Sequence, residues 1–326
     1  MKPHRREATA PPNPFQPFLD AQGVAILDGG LATALESRGQ DLDDPLWSAR
    51  VLLDAPQEVT AVHRDYLEAG ADCIATVTYQ ATFQGFAARG LDDAQAGRAF
   101  RTAVSLAVEA RNGFWARPAN REGRLQPLVA ASVGPYGAYL ADGSEYTGRY
   151  DLDEDALMAF HRRRWRLLAR SDADLLACET IPSLVEARAL LRLLAETPDR
   201  WAWLSFQCRD GAHLADGSPV AEAVRLCRTA HGVAAVGFNC VPPSRVEALL
   251  RAAAAEAGDV PLAAYPNSGE AYDAATKTWS DGVEEWDPGS DAVGWRRVGA
   301  RLVGGCCRTG PADIRRMREG LLRPSS

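Results

Sequence analysis

The chain has 326 residues, 46% hydrophobic and 24% charged, with a formal net charge of −7. That length permits one large core, the acidic balance gives no electrostatic reason to bind nucleic acid or an anionic membrane, and no apolar run reaches the length of a membrane span. Seven cysteines, an odd number spread through a large chain, make a poor disulfide framework and fit a reducing, cytoplasmic setting in which thiolates persist.

The first stretch, MKPHRREATAPPNPFQP, is rich in proline and basic residues and lacks the apolar segment and cleavage site of a secretory signal. Residues 1–19 therefore read as a flexible tail. The first apolar run, VAILDGG, ends on Asp28, Gly29 and Gly30, and CIATVTYQ follows from Cys73 and contains Thr78. Between them PQEVTAVHRDYLEAGA has helical periodicity and ends at Gly70, a residue suited to stopping a helix. LVAASVGP from Leu128 leads into a loop with Tyr136, Tyr139 and Tyr146, and EDALMAFHRRRWRLLARS spaces Leu157, Phe160, Trp165 and Leu168 near helical intervals. Then come LLACETI with Glu179, WLSFQCR, AAVGFNC ending in Asn239 and Cys240, PLAAYPNSG with Asn267, and RLVGGCC with Cys306 and Cys307.

Eight short apolar runs alternating with helical segments predict a single-domain (β/α)8 TIM barrel over residues 20–322, with 323–326 a short C-terminal tail. An open doubly wound sheet would carry a Gly-rich phosphate turn after its first strand, which is missing. Barrel active sites lie at the carboxyl ends of strands, where Asp28, Thr78, Glu179, Asn239, Cys240, Asn267, Cys306 and Cys307 all fall.

Three of these are thiols. Cys306 and Cys307 follow a glycine pair expected to turn the chain sharply, so that adjacent side chains can face one way. Cys240 ends the sixth run on the same rim. Three protein ligands with one open position describe a catalytic zinc site, and thiolates favour zinc over magnesium or calcium. The five histidines lie away from strand ends, so no histidine ligand is expected. Cys73, Cys178, Cys208 and Cys227 read as small buried apolar residues.

The segments DGGLATALESRG, SVGPYGAYLADGSEY, LLACETIP, GFNC, YPNSGE and GGCCRTGPADI, in this order from about residue 23 to 318, resemble the homocysteine S-methyltransferases. The loop after the third run and YPNSGE are similar to the branch that uses S-methylmethionine or S-adenosylmethionine, and Thr180 stands where the betaine branch has an aromatic. The resemblance implies a barrel with one zinc on Cys240, Cys306 and Cys307. Homocysteine would meet Asp28 and Glu179 through its ammonium and the amides of Gly29 and Gly30 through its carboxylate, with Thr78 and Asn239 as further contacts. Tyr136, Tyr139, Tyr146 and Asn267 are candidates for the sulfonium donor, by cation–π attraction in the case of the tyrosines.

The expected reaction is methyl transfer to the homocysteine thiolate to form methionine, with small-molecule substrates and no nucleic-acid or membrane partner. Three alternatives stand beside it. One is a homocysteine-activating module that receives its methyl group from a separate cobalamin or folate protein. Another is a noncatalytic zinc-stabilised barrel or thiol sensor. The third is a zinc hydrolase, which would more often use histidine and carboxylate ligands.

Overall fold

The computed structural model describes residues 11–42, 48–270, 272–273, 278–279 and 286–322. Each of the eight apolar runs coincides, to within one residue at its start, with one parallel strand: β1 Ala25–Ile26, β2 Cys73–Ala75, β3 Leu128–Val133, β4 Leu175–Ile181, β5 Ala202–Phe206, β6 Val233–Asn239, β7 Leu262–Tyr265 and β8 Ala300–Val303. Their spatial order is β1-β8-β7-β6-β5-β4-β3-β2, and a parallel bridge from Leu27 to Cys73 joins the two ends. The chain is thus a (β/α)8 barrel. Two further two-residue strands, Tyr272–Asp273 and Thr278–Trp279, form a small hairpin.

The short seam between β1 and β2 is reinforced by a buried acid. Asp72 accepts the Ile26 amide at 3.0 Å and pairs with Arg318 of the C-terminal helix at 2.9 Å. Helix boundaries follow local chemistry. Helix Pro56–Ala69 ends at Gly70, whose φ of 112° no other residue adopts cheaply. Helix Glu154–Ala169 starts where the Asp153 side chain accepts the Ala156 amide.

Strand residues alternate between two cores, as the period of two requires. Val129, Leu176, Leu204, Val236 and Phe238 pack outward under the helices. Ala130, Ala177, Ala235 and Ala263 point into the barrel, where their small size leaves room for Trp203 and Tyr265.

The floor of the barrel corrects the expectation of a flexible tail through residue 19. Phe15 and Phe18 are fully enclosed, the Phe15 ring lies 5.8 Å from that of Trp203, and the Asn13 amide donates to Ala234 O at 2.9 Å. Two phenylalanines close behind a proline-rich start supply the apolar area that holds this segment in place, so residues 11–19 belong to the barrel. Residues 1–10 and 323–326 lie outside the described residues. Phe15→Ala is expected to lower the unfolding free energy by about 3–5 kcal/mol, measured by urea denaturation. A loss below about 0.5 kcal/mol would show that the segment does not close the floor.

Candidate metal centre and substrate cavity

The carboxyl ends of the strands open into a cavity of about 770 Å³. Inward alternation delivers Ser132 from β3, Glu179 from β4, Asn239 from β6 and Tyr265 from β7 to its wall. Two neighbours, Thr180 and Cys240, also line it, although strand alternation would turn them outward. Both have left-handed backbones, with φ of 61° and 54°. Such a conformation costs a residue with a side chain about 1–3 kcal/mol, and a β-branched threonine is an unusual occupant.

The Asn239 side chain holds this geometry. Its oxygen accepts the Thr180 amide at 2.8 Å, and its Nδ2 donates to Thr180 Oγ1 at 2.8 Å and points to Cys306 Sγ at 3.7 Å. In the amide orientation that satisfies both its polar atoms, Gln207 donates to the carbonyls of Asn239 and Cys240 at 3.1 and 3.2 Å.

Cys306 and Cys307 reach the same point from the turn after β8. Their sulfurs and that of Cys240 lie within 4.8 Å of one another, with Cys240 and Cys307 3.5 Å apart. A tetrahedral zinc with bonds of about 2.3 Å sets its sulfurs about 3.8 Å apart, so the cluster fits such an ion with small side-chain adjustments. Among the three thiols, sulfur hydrogen bonds with Cys306 and Cys307 pull the Cys240 thiol well below its ordinary range. The contact with Cys240 in turn pushes Cys306 and Cys307 up.

The glycine pair before them works differently from the expected sharp turn. Neither Gly304 nor Gly305 has positive φ; Arg308 takes the left-handed position, at 64°. The glycines are required by close approach: a Cβ on Gly304 would sit 2.6 Å from Leu27, and one on Gly305 would sit 2.1 Å from Thr309 Oγ1.

Two carboxylates lie at the strand ends beside the thiols, Asp28 and Glu179. Asp28 accepts the Ala75 amide at 2.8 Å, and burial raises its carboxyl well above the ordinary range, with Glu179 and Cys306 adding to the rise. Burial likewise pushes Glu179 up to about 7, against the pull of hydrogen bonds from Ser132 and Tyr265. Trp203 fixes Tyr265 by donating to its hydroxyl at 2.9 Å. No described cation compensates either acid.

The loop after β3 forms one further wall, bringing Glu145 and Tyr146 to the cavity, and the segment after β1, with Thr33 and Glu36, forms another. The Tyr146 hydroxyl is 3.9 Å from Cys240 Sγ. Glu186, fully buried on the helix after β4, ties this loop down at both ends: it accepts the Tyr136 amide at 2.6 Å and the Tyr150 hydroxyl. His161 Nε2 meets the same carboxylate at 2.7 Å, and Arg164 meets His161 Nδ1 at 2.7 Å. Because a guanidinium can only donate, Nδ1 accepts and the ring proton sits on Nε2. Burial, aided by Arg164, lowers the His161 pKa to about 4, which keeps the ring neutral.

The structure brings together Cys240, Cys306, Cys307, Asp28, Gly29, Gly30, Glu179, Asn239 and Tyr146. Thr78 stays outside the cavity wall: β2 ends at Ala75, the chain turns, and the Thr78 hydroxyl donates to Ser132 O at 2.7 Å. Thr76 lines the wall in its place. The Gly30 amide is already bonded to Thr309 O at 2.9 Å. Tyr136 and Tyr139 pack on Phe160, with centroids 4.9 and 5.5 Å away. Asn267 braces its own turn by accepting the Gly269 amide at 3.0 Å. Residues the sequence reading missed are Ser132, Tyr265 and Thr180, together with Tyr79 and Glu145. Counting alternate positions along the third and seventh runs would have found Ser132 and Tyr265.

Fold and cavity together define a barrel enzyme with a three-cysteine group able to hold a metal at its carboxyl rim. The homocysteine S-methyltransferase family model matches residues 25–321. Homocysteine S-methyltransferase YbgG of Bacillus subtilis is 49% identical over 302 residues, covering 93% of this chain and 96% of its own. The Escherichia coli homocysteine S-methyltransferase is 48% identical over 303 residues, with coverage of 93% and 96%. The crystal structure of the Escherichia coli homocysteine methyltransferase MmuM in its metallated form matches with a TM-score of 0.84 at 44% identity, over 94% of this chain and 99% of that one. The chain belongs to the homocysteine S-methyltransferase family, and family membership sets aside the noncatalytic barrel.

Glu179 links the cavity to stability. Its folded carboxyl titrates near 7 against a reference of 4.5, so between those values the folded chain holds a proton that the unfolded chain has lost. Stability therefore falls as pH rises through this window. In metal-free protein, Glu179→Gln is expected to lessen that fall, leaving the part due to Asp28, and to be more stable than wild type at pH 8 by on the order of 2–3 kcal/mol. Denaturant titrations at pH 5 and pH 8 test this; equal pH dependence in both proteins would refute the assignment.

Proposed function

We propose that the protein transfers a methyl group from a sulfonium donor to the thiolate of L-homocysteine, forming methionine, at a zinc ion held by Cys240, Cys306 and Cys307. S-Methylmethionine is the donor we favour, and S-adenosylmethionine is the alternative. The observation that carries this reading is the convergence of three thiols on a cavity whose wall also holds two acids without a cation, Asp28 and Glu179. An amino acid bearing a thiol answers both features at once.

Zinc held by Cys240, Cys306 and Cys307 would supply Lewis acidity that lowers the pKa of a coordinating thiol and keeps it a nucleophilic thiolate at neutral pH. Asp28 and Glu179 receive the homocysteine ammonium, whose charge offsets the burial that holds both carboxyls up. The Gly29 amide, which has no partner among the described residues, is available to the substrate carboxylate. Asn239 fixes Cys306 and, through Thr180, the end of β4 that carries Glu179.

In the transfer step the methyl–sulfur bond of the donor breaks, its electron pair stays on the donor sulfur, and a methyl–sulfur bond forms on homocysteine. No proton moves in that step, so no general base is required. Charge on donor and nucleophile cancels as the bond forms, which an apolar floor of alanines and Trp203 favours by excluding water. With S-methylmethionine each turnover yields two methionines. All seven thiols are free, which suits a reducing compartment such as the cytoplasm, and no described helix is long and apolar enough to cross a membrane.

Incubation of zinc-loaded protein with homocysteine and methyl-deuterated S-methylmethionine is expected to give labelled methionine by mass spectrometry. Its absence with both sulfonium donors would overturn the reading. Cys306→Ser is expected to lose bound zinc and at least about 99% of transfer while keeping a cooperative thermal melt. A metal-free variant with full activity would contradict the thiolate mechanism.

A further inference from the structure

Five acids line the cavity: Asp28, Glu36, Asp41, Glu145 and Glu179. Asp41 pairs with Arg50 at 3.9 Å and Glu36 feels the charge of Arg308, which leaves Glu145 as the acid beyond Asp28 and Glu179 that has no neighbouring cation among the described residues. Glu145 sits on the loop after β3, and its Oε2 is enclosed with no hydrogen-bond partner. No ion pair among the described residues involves it, and burial pushes its carboxyl up to about 7, with Asp142 adding to the rise. Buried carboxylates in native proteins are normally paired or hydrogen-bonded, so a half-buried acid on a cavity wall with one oxygen unpartnered and no counter-ion among the described residues asks for a cation from the ligand.

Its neighbours say which ligand. The next residue, Tyr146, reaches 3.9 Å from Cys240 Sγ, and the Glu145 carboxylate adds to the burial that raises the Tyr79 phenol. Glu145 thus belongs to the tyrosine side of the thiol cluster, on a loop element separate from the strand ends that carry Asp28 and Glu179. It is also held rigidly. A Cβ at Gly137 would sit 2.4 Å from Glu145 N, so the two backbone segments are in close contact. Glu186 ties the flanking Tyr136 amide and Tyr150 hydroxyl.

We propose, resting on the methyl-transfer reading above, that Glu145 binds the α-ammonium of an amino-acid sulfonium donor and thereby selects donors that are themselves amino acids. Asp28 and Glu179 serve the acceptor's ammonium, and Glu145 serves the donor's. The donor enters with two positive groups, the sulfonium and the ammonium. Transfer neutralises only the sulfonium, because the departing thioether keeps the bonding pair, and the ammonium remains on Glu145 throughout. A contact that is equal in ground and transition states acts on KM and leaves kcat unchanged.

Zinc-loaded wild type, Glu145→Gln and Glu145→Asp are titrated calorimetrically with S-methylmethionine and, separately, with homocysteine. The expected result is an S-methylmethionine affinity at least about tenfold weaker in Glu145→Gln, partly restored in Glu145→Asp, with homocysteine affinity within about twofold in all three. The last value also reports that the variants are folded. Steady-state kinetics are expected to show the same rise in donor KM with kcat within about twofold. Dimethylsulfoniopropionate, which keeps the sulfonium and carboxylate but has no ammonium, is expected to bind wild type and Glu145→Gln alike.

Unchanged S-methylmethionine affinity in Glu145→Gln overturns the proposal, as does equal weakening of homocysteine or equal weakening of the donor without an ammonium. Wild type that fails to bind S-methylmethionine overturns it too. Donor binding that depends on Glu145 without any labelled methionine counts against the transfer reading alone. Transfer with binding independent of Glu145 counts against this one alone.

Discussion

A β-strand sends consecutive side chains to opposite faces, and this centre needs both members of two consecutive pairs on the same face. Glu179 with Thr180 and Asn239 with Cys240 all line the cavity, and in each pair the second residue reverses direction by taking a left-handed backbone. The two reversals are not independent. The amide of Asn239 bonds both the backbone and the hydroxyl of Thr180, so β4 and β6 are strained together and held together by one side chain. Moving either strand end would displace a thiol and a carboxylate at once.

Electrostatics explains why the cavity tolerates so much acid. Three thiols and the carboxylates of Asp28, Glu179 and Glu145 line one cavity, and burial raises the titration points of all three carboxyls. Such a site resists holding its full negative charge until cations enter. A metal ion, ammonium groups and a sulfonium are all cations, so the same desolvation that destabilises the free site gives each ligand a larger electrostatic gain. Strain and uncompensated charge at a functional site are offset elsewhere in the fold, here by an alanine-lined barrel interior and a floor sealed with Phe15 and Trp203.

Much of this was readable from the chain alone. The eight strands stood out because parallel barrel strands are continuous apolar runs, and the three cysteines because they end two of those runs. What escaped was set by backbone detail. Thr78 looked like a strand-end residue, but β2 stops three residues earlier and its hydroxyl turns to the backbone. The glycines before Cys306 were read as conformational hinges, whereas they are contact points for Leu27 and Thr309. Tyr136 and Tyr139 could not be separated from Tyr146 by composition, since which tyrosine of a loop faces inward depends on where the loop is tied, and the tie is Glu186, far along the sequence. Phe15 and Phe18 sat in a segment whose prolines and charges masked two anchoring rings.

That tie has a consequence for motion. Loops that cover barrel sites commonly swing about two separate hinges, one at each end. Here the amide at Tyr136 and the hydroxyl at Tyr150 converge on a single carboxylate, itself bound to a neutral histidine that takes its hydrogen bond from Arg164. Releasing one end leaves that carboxylate short of a donor in a dry interior, which weakens its hold on the other. The loop is therefore built to open all at once or stay closed, and its amides are expected to exchange with solvent as one cooperative unit rather than fraying from an end.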